Sequence, residues 1–269
     1  MKIAALQTVS AARVETNLET ARALLAQAAE AGAELAVLPE YFCLMGQRDR
    51  DKLAVRERFG SGPVQDFLSA QAKALGLWIV GGTLPLVADS EEHVRNSSLV
   101  FSPQGECVAR YDKIHLFRFD NGREQYDESR VIEPGGLPQA FTLPSRDGHG
   151  WHVGLSVCYD LRFPELYRGL GADLLLVPSA FTHPTGQAHW ELLLRARAVE
   201  NLAYVCAPAQ GGRHENGRRT WGHSMVVDPW GEVLAVQAQD GAAVVLADLD
   251  AARLVQVRTQ LPALDHRRL

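Results

Sequence analysis

Val153-Gly154-Leu155-Ser156-Val157-Cys158-Tyr159-Asp160-Leu161-Arg162-Phe163-Pro164-Glu165 joins an apolar run to a thiol and then to a proline. Five small or apolar residues read as a buried strand. Pro164 suits the first turn of a helix, because its missing N–H has no intrahelical partner there. A strand, a turn and a helix make half of a β-α-β unit, and the alternation runs through the chain. Strands are expected at Ile3–Thr8, Leu35–Leu38, Trp78–Leu84, Ser97–Ser102, Cys107–Asp112, Val153–Cys158, Leu174–Pro178, Ala203–Ala207, Ser224–Asp228, Val233–Gln237 and Ala243–Asp248.

Helical spacing recurs between them: Leu18, Ala21, Leu25 and Ala28 after Asn17; Phe67, Leu68 and Leu75 after Ser61-Gly62-Pro63; and Trp190, Leu193, Leu194 and Arg197. Phe101-Ser102-Pro103-Gln104-Gly105-Glu106 and Asp228-Pro229-Trp230-Gly231 read as turns between antiparallel strands. The pattern predicts one α/β domain over residues 1–269, with sheets inside and helices outside. The one long irregular stretch is Phe117 to Pro138, and loops of that length usually carry function or are disordered.

Composition narrows the function classes. Of 269 residues, 46% are hydrophobic and 22% charged, an ordinary globular balance. A net charge of −5 argues against nucleic acid as the main partner, since phosphate binding needs a surplus of Lys and Arg. No apolar run approaches the roughly 20 residues that span a bilayer, and Met1-Lys2-Ile3-Ala4-Ala5-Leu6-Gln7-Thr8 turns polar too soon for a signal peptide. The expectation is a cytoplasmic protein without membrane contact. Cys43, Cys107, Cys158 and Cys206 lack the close pairing of a zinc or redox motif, and the histidines lack paired ligand spacing, so no metal is expected.

Cys158 is the most informative thiol. At a strand-to-helix turn, backbone N–H groups and the positive helix end favour thiolate and can hold an oxyanion; a buried core cysteine is the alternative. Glu40, after Ala36-Val37-Leu38-Pro39, stands at the C-terminal end of a buried strand, where α/β sheets form their binding crevice. Alone it also reads as a solvated loop acid. Lys113 closes the strand before Ile114-His115-Leu116-Phe117 and alone reads as a surface charge. Together they supply a base, a cation and a thiol, each ending a strand, and parallel strands would bring all three to one mouth. Glu128 is expected to be a second acid positioning Lys113 or the base, with Glu124 and Glu133 as rivals. Cys43 is a rival nucleophile without a strand-to-helix turn, Cys206 reads as core, and Cys107 has no assigned role.

Leu38-Pro39-Glu40, Tyr111-Asp112-Lys113-Ile114-His115-Leu116-Phe117 and Val157-Cys158-Tyr159-Asp160-Leu161-Arg162-Phe163-Pro164-Glu165, in that order, resemble the carbon–nitrogen hydrolase (nitrilase) superfamily over nearly the whole chain. The resemblance implies an α-β-β-α sandwich, a homodimer or larger homo-oligomer, and no cofactor. It implies Glu40 as general base, Lys113 facing the tetrahedral intermediate, Cys158 as nucleophile, and Glu128, six residues before Pro134-Gly135, as the accessory glutamate. The Tyr159 N–H would share the oxyanion.

Ala188-His189-Trp190-Glu191, Ala209-Gln210-Gly211-Gly212-Arg213-His214 and Gly222-His223-Ser224-Met225-Val226-Val227-Asp228-Pro229-Trp230-Gly231 are similar to the deaminated glutathione amidase branch. That branch implies a small amide substrate, cleaved to 2-oxoglutarate and cysteinylglycine. Tyr41, Phe181 and Thr182 are the expected substrate contacts, and Arg162 is expected in a structural ion pair. Phe119-Asp120-Asn121-Gly122-Arg123-Glu124-Gln125, where members differ, is expected to shape the pocket. The rival readings are an ω-amidase releasing ammonia from 2-oxoglutaramate and, from outside enzymes, a non-catalytic thiol-bearing binding module.

Overall fold

Along Lys2–Gln7, Ile3 and Ala5 belong to one apolar cluster while Ala4 and Leu6 belong to another. That period of two, buried on both faces, is what a strand between two layers requires. A computed structural model, describing residues 1–122 and 124–268, shows the layers; Arg123, in the loop quoted above, lies outside the described residues.

The first sheet runs Ala243–Asp248, Lys2–Gln7, Leu35–Val37, Trp78–Val80, Val94–Phe101, Leu84–Val87, with Cys107–Asp112 also paired to Val94–Phe101. The second runs Val233–Val236, Met225–Val227, Tyr204–Ala207, Leu174–Leu176, Gly150–Leu155, Gln139–Pro144. Each has three parallel strands at its centre and antiparallel strands outside them. Between the sheets lie Ile3, Val37, Val80 and Val100 from one and Val153, Leu155, Leu176 and Val226 from the other. Helices Val14–Glu30 and Pro63–Leu75 cover the far side of the first sheet through Ala21, Leu25, Phe67 and Leu68. Helix His183–Asn201 closes on the second through Trp190, Leu194 and Ala198. This is the expected α-β-β-α sandwich in a single domain.

The structure departs from the sequence expectation where backbone geometry outweighs side-chain pattern. Trp78–Leu84 is not one strand. Trp78–Val80 and Leu84–Val87 occupy successive parts of the same edge of Val94–Phe101, separated by Gly81-Gly82-Thr83. Gly82 has φ +47°, and a Cβ there would lie 2.0 Å from the Pro39 carbonyl oxygen. The strand breaks so that the segment carrying Glu40 can pass. Pro85 is tolerated because it sits in an edge piece.

Phe117 to Pro138 is not irregular throughout. It holds a hairpin, Arg118–Asp120 with Gln125–Asp127, and a 3-10 turn at Glu128–Arg130 capped by the Asp127 side chain. Strands of three residues, each with one aromatic ring (Phe119, Tyr126) between two polar residues, leave too little apolar alternation to signal it. Val153–Cys158 stops as a strand at Leu155, and Cys158 opens a 3-10 turn, Cys158–Arg162. Helix Ala251–Gln260, whose apolar pattern is reduced to Leu254 and Val257, is held by an Asp250 side-chain cap. No helix among the described residues is long and apolar enough to cross a membrane.

The close approach at Gly82 is a sharp test of this account. Gly82→Ala should destabilise the protein by about 3 kcal/mol, from the strained φ and the displaced Pro39 backbone together. Urea unfolding of the variant beside the parent measures it, and a loss under about 1 kcal/mol would show that the two segments are not tightly apposed.

Candidate active site

Three strand ends deliver the polar groups. Leu35–Val37 is followed by Leu38, Pro39 and Glu40; Cys107–Asp112 by Lys113; Gly150–Leu155 by Ser156, Val157 and Cys158. Trp78–Val80 is antiparallel to Val94–Phe101, which is antiparallel to Cys107–Asp112, so the ends at Glu40 and Lys113 lie on one side of the first sheet. The Lys113 backbone is fixed from both directions, its N–H donating to the Asn96 carbonyl at 3.0 Å and its carbonyl accepting from Gly135 N–H at 2.8 Å.

Lys113 is 1% exposed and lies between two carboxylates. Its Nζ donates to Glu40 Oε1 at 2.9 Å and to Glu128 at 3.0 and 2.8 Å. Burial works to lower the lysine pKa, but Glu128 and Glu40 outweigh it and hold the ammonium above the ordinary lysine range. Glu128 is raised by burial but pulled below its ordinary value by Lys113, by the Phe117 N–H at 2.7 Å and by the Tyr41 phenol at 2.6 Å. Glu40 accepts three bonds, from Lys113, from Asn96 Nδ2 at 2.9 Å and, on Oε2, from the Ala180 N–H at 3.0 Å. A carboxylate offers about four acceptor positions, so capacity for one more proton donor remains.

Cys158 stands beside this group with φ +51°, a conformation rare for a side chain other than glycine. Its N–H donates to the Pro178 carbonyl at 2.9 Å. Asp160, wholly buried, ties the turn down: its carboxylate accepts from the Val157 N–H at 2.8 Å, the Tyr111 phenol at 2.7 Å and the His115 N–H at 3.1 Å, and meets His115 Nδ1 at 2.7 Å. One carboxylate thus fastens the thiol's turn to the segment just after Lys113. The expectation that the turn favours thiolate is overturned. Burial first, and the Glu40 carboxylate second, push the Cys158 thiol well above its ordinary range; Lys113 and the Ala180 N–H oppose them without prevailing. The helix Pro164–Leu170 begins six residues beyond the sulfur, and two carboxylates against one ammonium leave the surroundings negative.

A cleft of about 220 Å³ opens at Cys158, lined also by Phe117, Tyr159, Arg162, Phe181 and Thr182. Phe181 and Thr182 are therefore beside the thiol. Tyr41 is not in this cleft; it holds Glu128 and lines a neighbouring cavity of about 360 Å³. Arg162 has no carboxylate partner among the described residues. Its guanidinium meets His189 Nδ1 at 3.2 Å and lies over the rings of Tyr159 and Phe181, which corrects its expected ion pair.

Cys206 is core as expected, and Cys43 is buried with its thiol pushed up to about 12, mainly by burial. Sequence reading missed Asn96, Asp160 and the Ala180 N–H. Asn96, among Arg95, Ser97 and Ser98, carried no signal of its own, whereas Asp160 stood between Tyr159 and Leu161. Among the described residues no three His, Cys, Asp or Glu side chains are grouped to hold a metal ion.

Comparison with known proteins fits this geometry. The carbon-nitrogen hydrolase family model matches residues 2–259. A deaminated glutathione amidase from Synechocystis is 40% identical over 270 residues, covering 98% of this chain and 97% of the relative. Among solved structures, the C. elegans NitFhit protein is similar with a TM-score of 0.87 and 36% identity, over 99% of this chain and 65% of that longer one. A mutant of the amidase from Nesterenkonia, in which acrylamide has added at the active-site cysteine, matches with a TM-score of 0.77 and 27% identity over 97% of this chain and 98% of its own. The chain belongs to the carbon–nitrogen hydrolase family. Its reaction class is accordingly hydrolysis of amide carbon–nitrogen bonds.

The electrostatics make a prediction about the thiol. Removing the Glu40 charge in E40Q should move the Cys158 thiol–thiolate midpoint to lower pH, read as ultraviolet thiolate absorbance against a C158A blank. A midpoint that stays put or rises would contradict the assigned cause.

Proposed function

We propose that the chain is a cysteine-dependent amidase that hydrolyses deaminated glutathione to 2-oxoglutarate and cysteinylglycine. The observation that carries the chemistry is Lys113 held within 3.0 Å of both Glu40 and Glu128, next to Cys158. The substrate is supported by likeness to relatives named for that amide.

In the resting site sulfur carries its proton, because thiolate would be buried and would stand against the Glu40 carboxylate. Glu40 takes that proton as sulfur attacks the amide carbonyl carbon, so no free thiolate accumulates. The carbonyl oxygen gains the negative charge, and Lys113 with the Tyr159 N–H stabilises it; losing one such donor typically costs about 3–4 kcal/mol. As the C–N bond breaks, Glu40 returns the proton to the leaving nitrogen, leaving an acyl thioester on Cys158. Water then gives a proton to Glu40 and attacks the thioester, and the acid product leaves as sulfur recovers its proton. Glu128 acts through Lys113, holding the ammonium where the oxyanion forms. Phe181 and Thr182 contact the acyl part, while Tyr41 acts on Glu128. No cofactor is called for, since one carboxylate carries every proton.

The chain acts as a homodimer or larger homo-oligomer, which exposed Leu192, Val199, Trp230 and Val236 beside helix His183–Asn201 support. A reaction needing a reduced thiol suits the cytoplasm.

Product analysis tests the reading. With deaminated glutathione and 2-oxoglutaramate side by side, cysteinylglycine should appear faster than ammonia, and Cys158→Ala should lower turnover at least 1,000-fold while the fold is kept. Faster ammonia release would make the enzyme an ω-amidase on the same residues. Unchanged turnover in Cys158→Ala would overturn the nucleophile.

A further inference from the structure

Beyond Phe117, which lines both spaces, the cavity of about 360 Å³ contains two cations. Lys52, on the short helix Asp51–Ala54, has a side chain only 13% exposed; its Nζ lies 4.8 Å from the Tyr41 ring centre and 4.0 Å from Asp49, itself 71% exposed. Arg218 lies over the Tyr126 ring at 4.6 Å. Its Nε is buried and without a hydrogen-bond partner, and its guanidinium makes no ion pair among the described residues. The cavity's acids are otherwise engaged. Glu128 is taken by Lys113, Tyr41 and the Phe117 N–H. Asp127 accepts from Ser129 and faces Arg130 at 3.6 Å.

The two cations are not incidental neighbours. Arg218 follows a turn in which His214 N–H donates to the Arg218 carbonyl and Arg218 N–H to Asn216 Oδ1, both at 2.9 Å. Asn216 Nδ2 donates in turn to the Gly46 carbonyl at 2.7 Å, in the segment leading to Lys52. Separate parts of the chain are laced together to hold both cations on one cavity, where Lys52 has only the largely exposed Asp49 at 4.0 Å and Arg218 has no carboxylate partner among the described residues. A guanidinium with a free N–H, next to an ammonium in a partly buried space, is built for a carboxylate.

The direction of the reaction says which carboxylate. The acyl group grows on Cys158 and occupies the cleft that Cys158 lines. The leaving nitrogen must lie toward Glu40, which protonates it, and Glu40 shares Lys113 with Glu128, a wall of the second cavity. The amine half of the substrate therefore leads into that cavity. We propose that Lys52 and Arg218 form a carboxylate subsite for the amine half of the substrate, taking the terminal glycine carboxylate of deaminated glutathione. This rests on the amidase reading above and deepens it: the site is built for amides of carboxylate-bearing amines, not only for primary amides, whose leaving group is ammonia.

The test compares deaminated glutathione with the same molecule amidated at its glycine end, in the parent protein, R218Q and R218K. The parent should favour the free acid by at least tenfold in kcat/KM, mostly through KM. R218Q should lose that preference and R218K should keep part of it, with thermal melts confirming the fold. If the parent turns over deaminated glutathione but its acid-over-amide preference is absent, or survives intact in R218Q, the subsite is wrong and the substrate reading stands. If the parent turns over neither form, the substrate reading is wrong, and binding of cysteinylglycine and cysteinylglycinamide to the C158A protein decides the subsite. A preference for the acid that disappears with R218Q added supports it; equal binding of the two overturns it.

Discussion

A buried ammonium clamped between two carboxylates is the constraint from which the rest of the site follows. Lys113 cannot stand in the interior alone, since an unpaired charge there costs several kcal/mol. Glu40 and Glu128 offset that, but two anions around one cation leave a net negative field. Burial, with that field added, keeps Cys158 protonated, and the two carboxylates keep the Lys113 ammonium charged. A neutral thiol next to a carboxylate with a spare acceptor position is a resting state from which attack and proton transfer occur together. In the proposed mechanism, activation comes from a base within the site, not from a lowered thiol pKa.

The fold's work is to hold this group against its own repulsion. Glu40 arrives on a segment that passes Gly82 so closely that no side chain fits between. Lys113 is fixed through its own backbone by Asn96 and Gly135, and at Gly135 a Cβ would lie 2.1 Å from the Asp112 carbonyl oxygen. Cys158 is kept at positive φ by its bond to Pro178 and by Asp160, and strain of that kind, typically about 1–3 kcal/mol, persists only where neighbours over-determine it. Asp160 also holds the backbone at His115, so thiol and ammonium are positioned by one buried carboxylate.

Much of this was legible in the sequence. The apolar runs at 3–6, 35–38, 153–157 and 174–178 carried the two sheets, because buried parallel strands have few other solutions. Glu40, Lys113 and Cys158 stood out because polar groups directly after such runs sit at strand ends. What failed to show was long-range. Nothing local in Trp78–Leu84 reveals that Pro39 crosses it, and nothing in Phe117 to Pro138 reveals a hairpin whose strands are only three residues each. The thiol was misjudged because a turn's local dipoles are visible in sequence, whereas burial and a carboxylate 118 residues away in the chain are not. Arg162 was expected in an ion pair, and Arg218 did not stand out, for the same reason: only the folded chain shows which guanidinium lacks an anion.

The account stands on Cys158 becoming covalently acylated. Intact-mass spectrometry of the enzyme, acid-quenched during turnover of deaminated glutathione, measures this directly. The account predicts a species heavier by the 2-oxoglutaryl group, mapped by peptide analysis to Cys158. Turnover with no such species under quench conditions that preserve a thioester, or an acyl group carried by another residue, would contradict it.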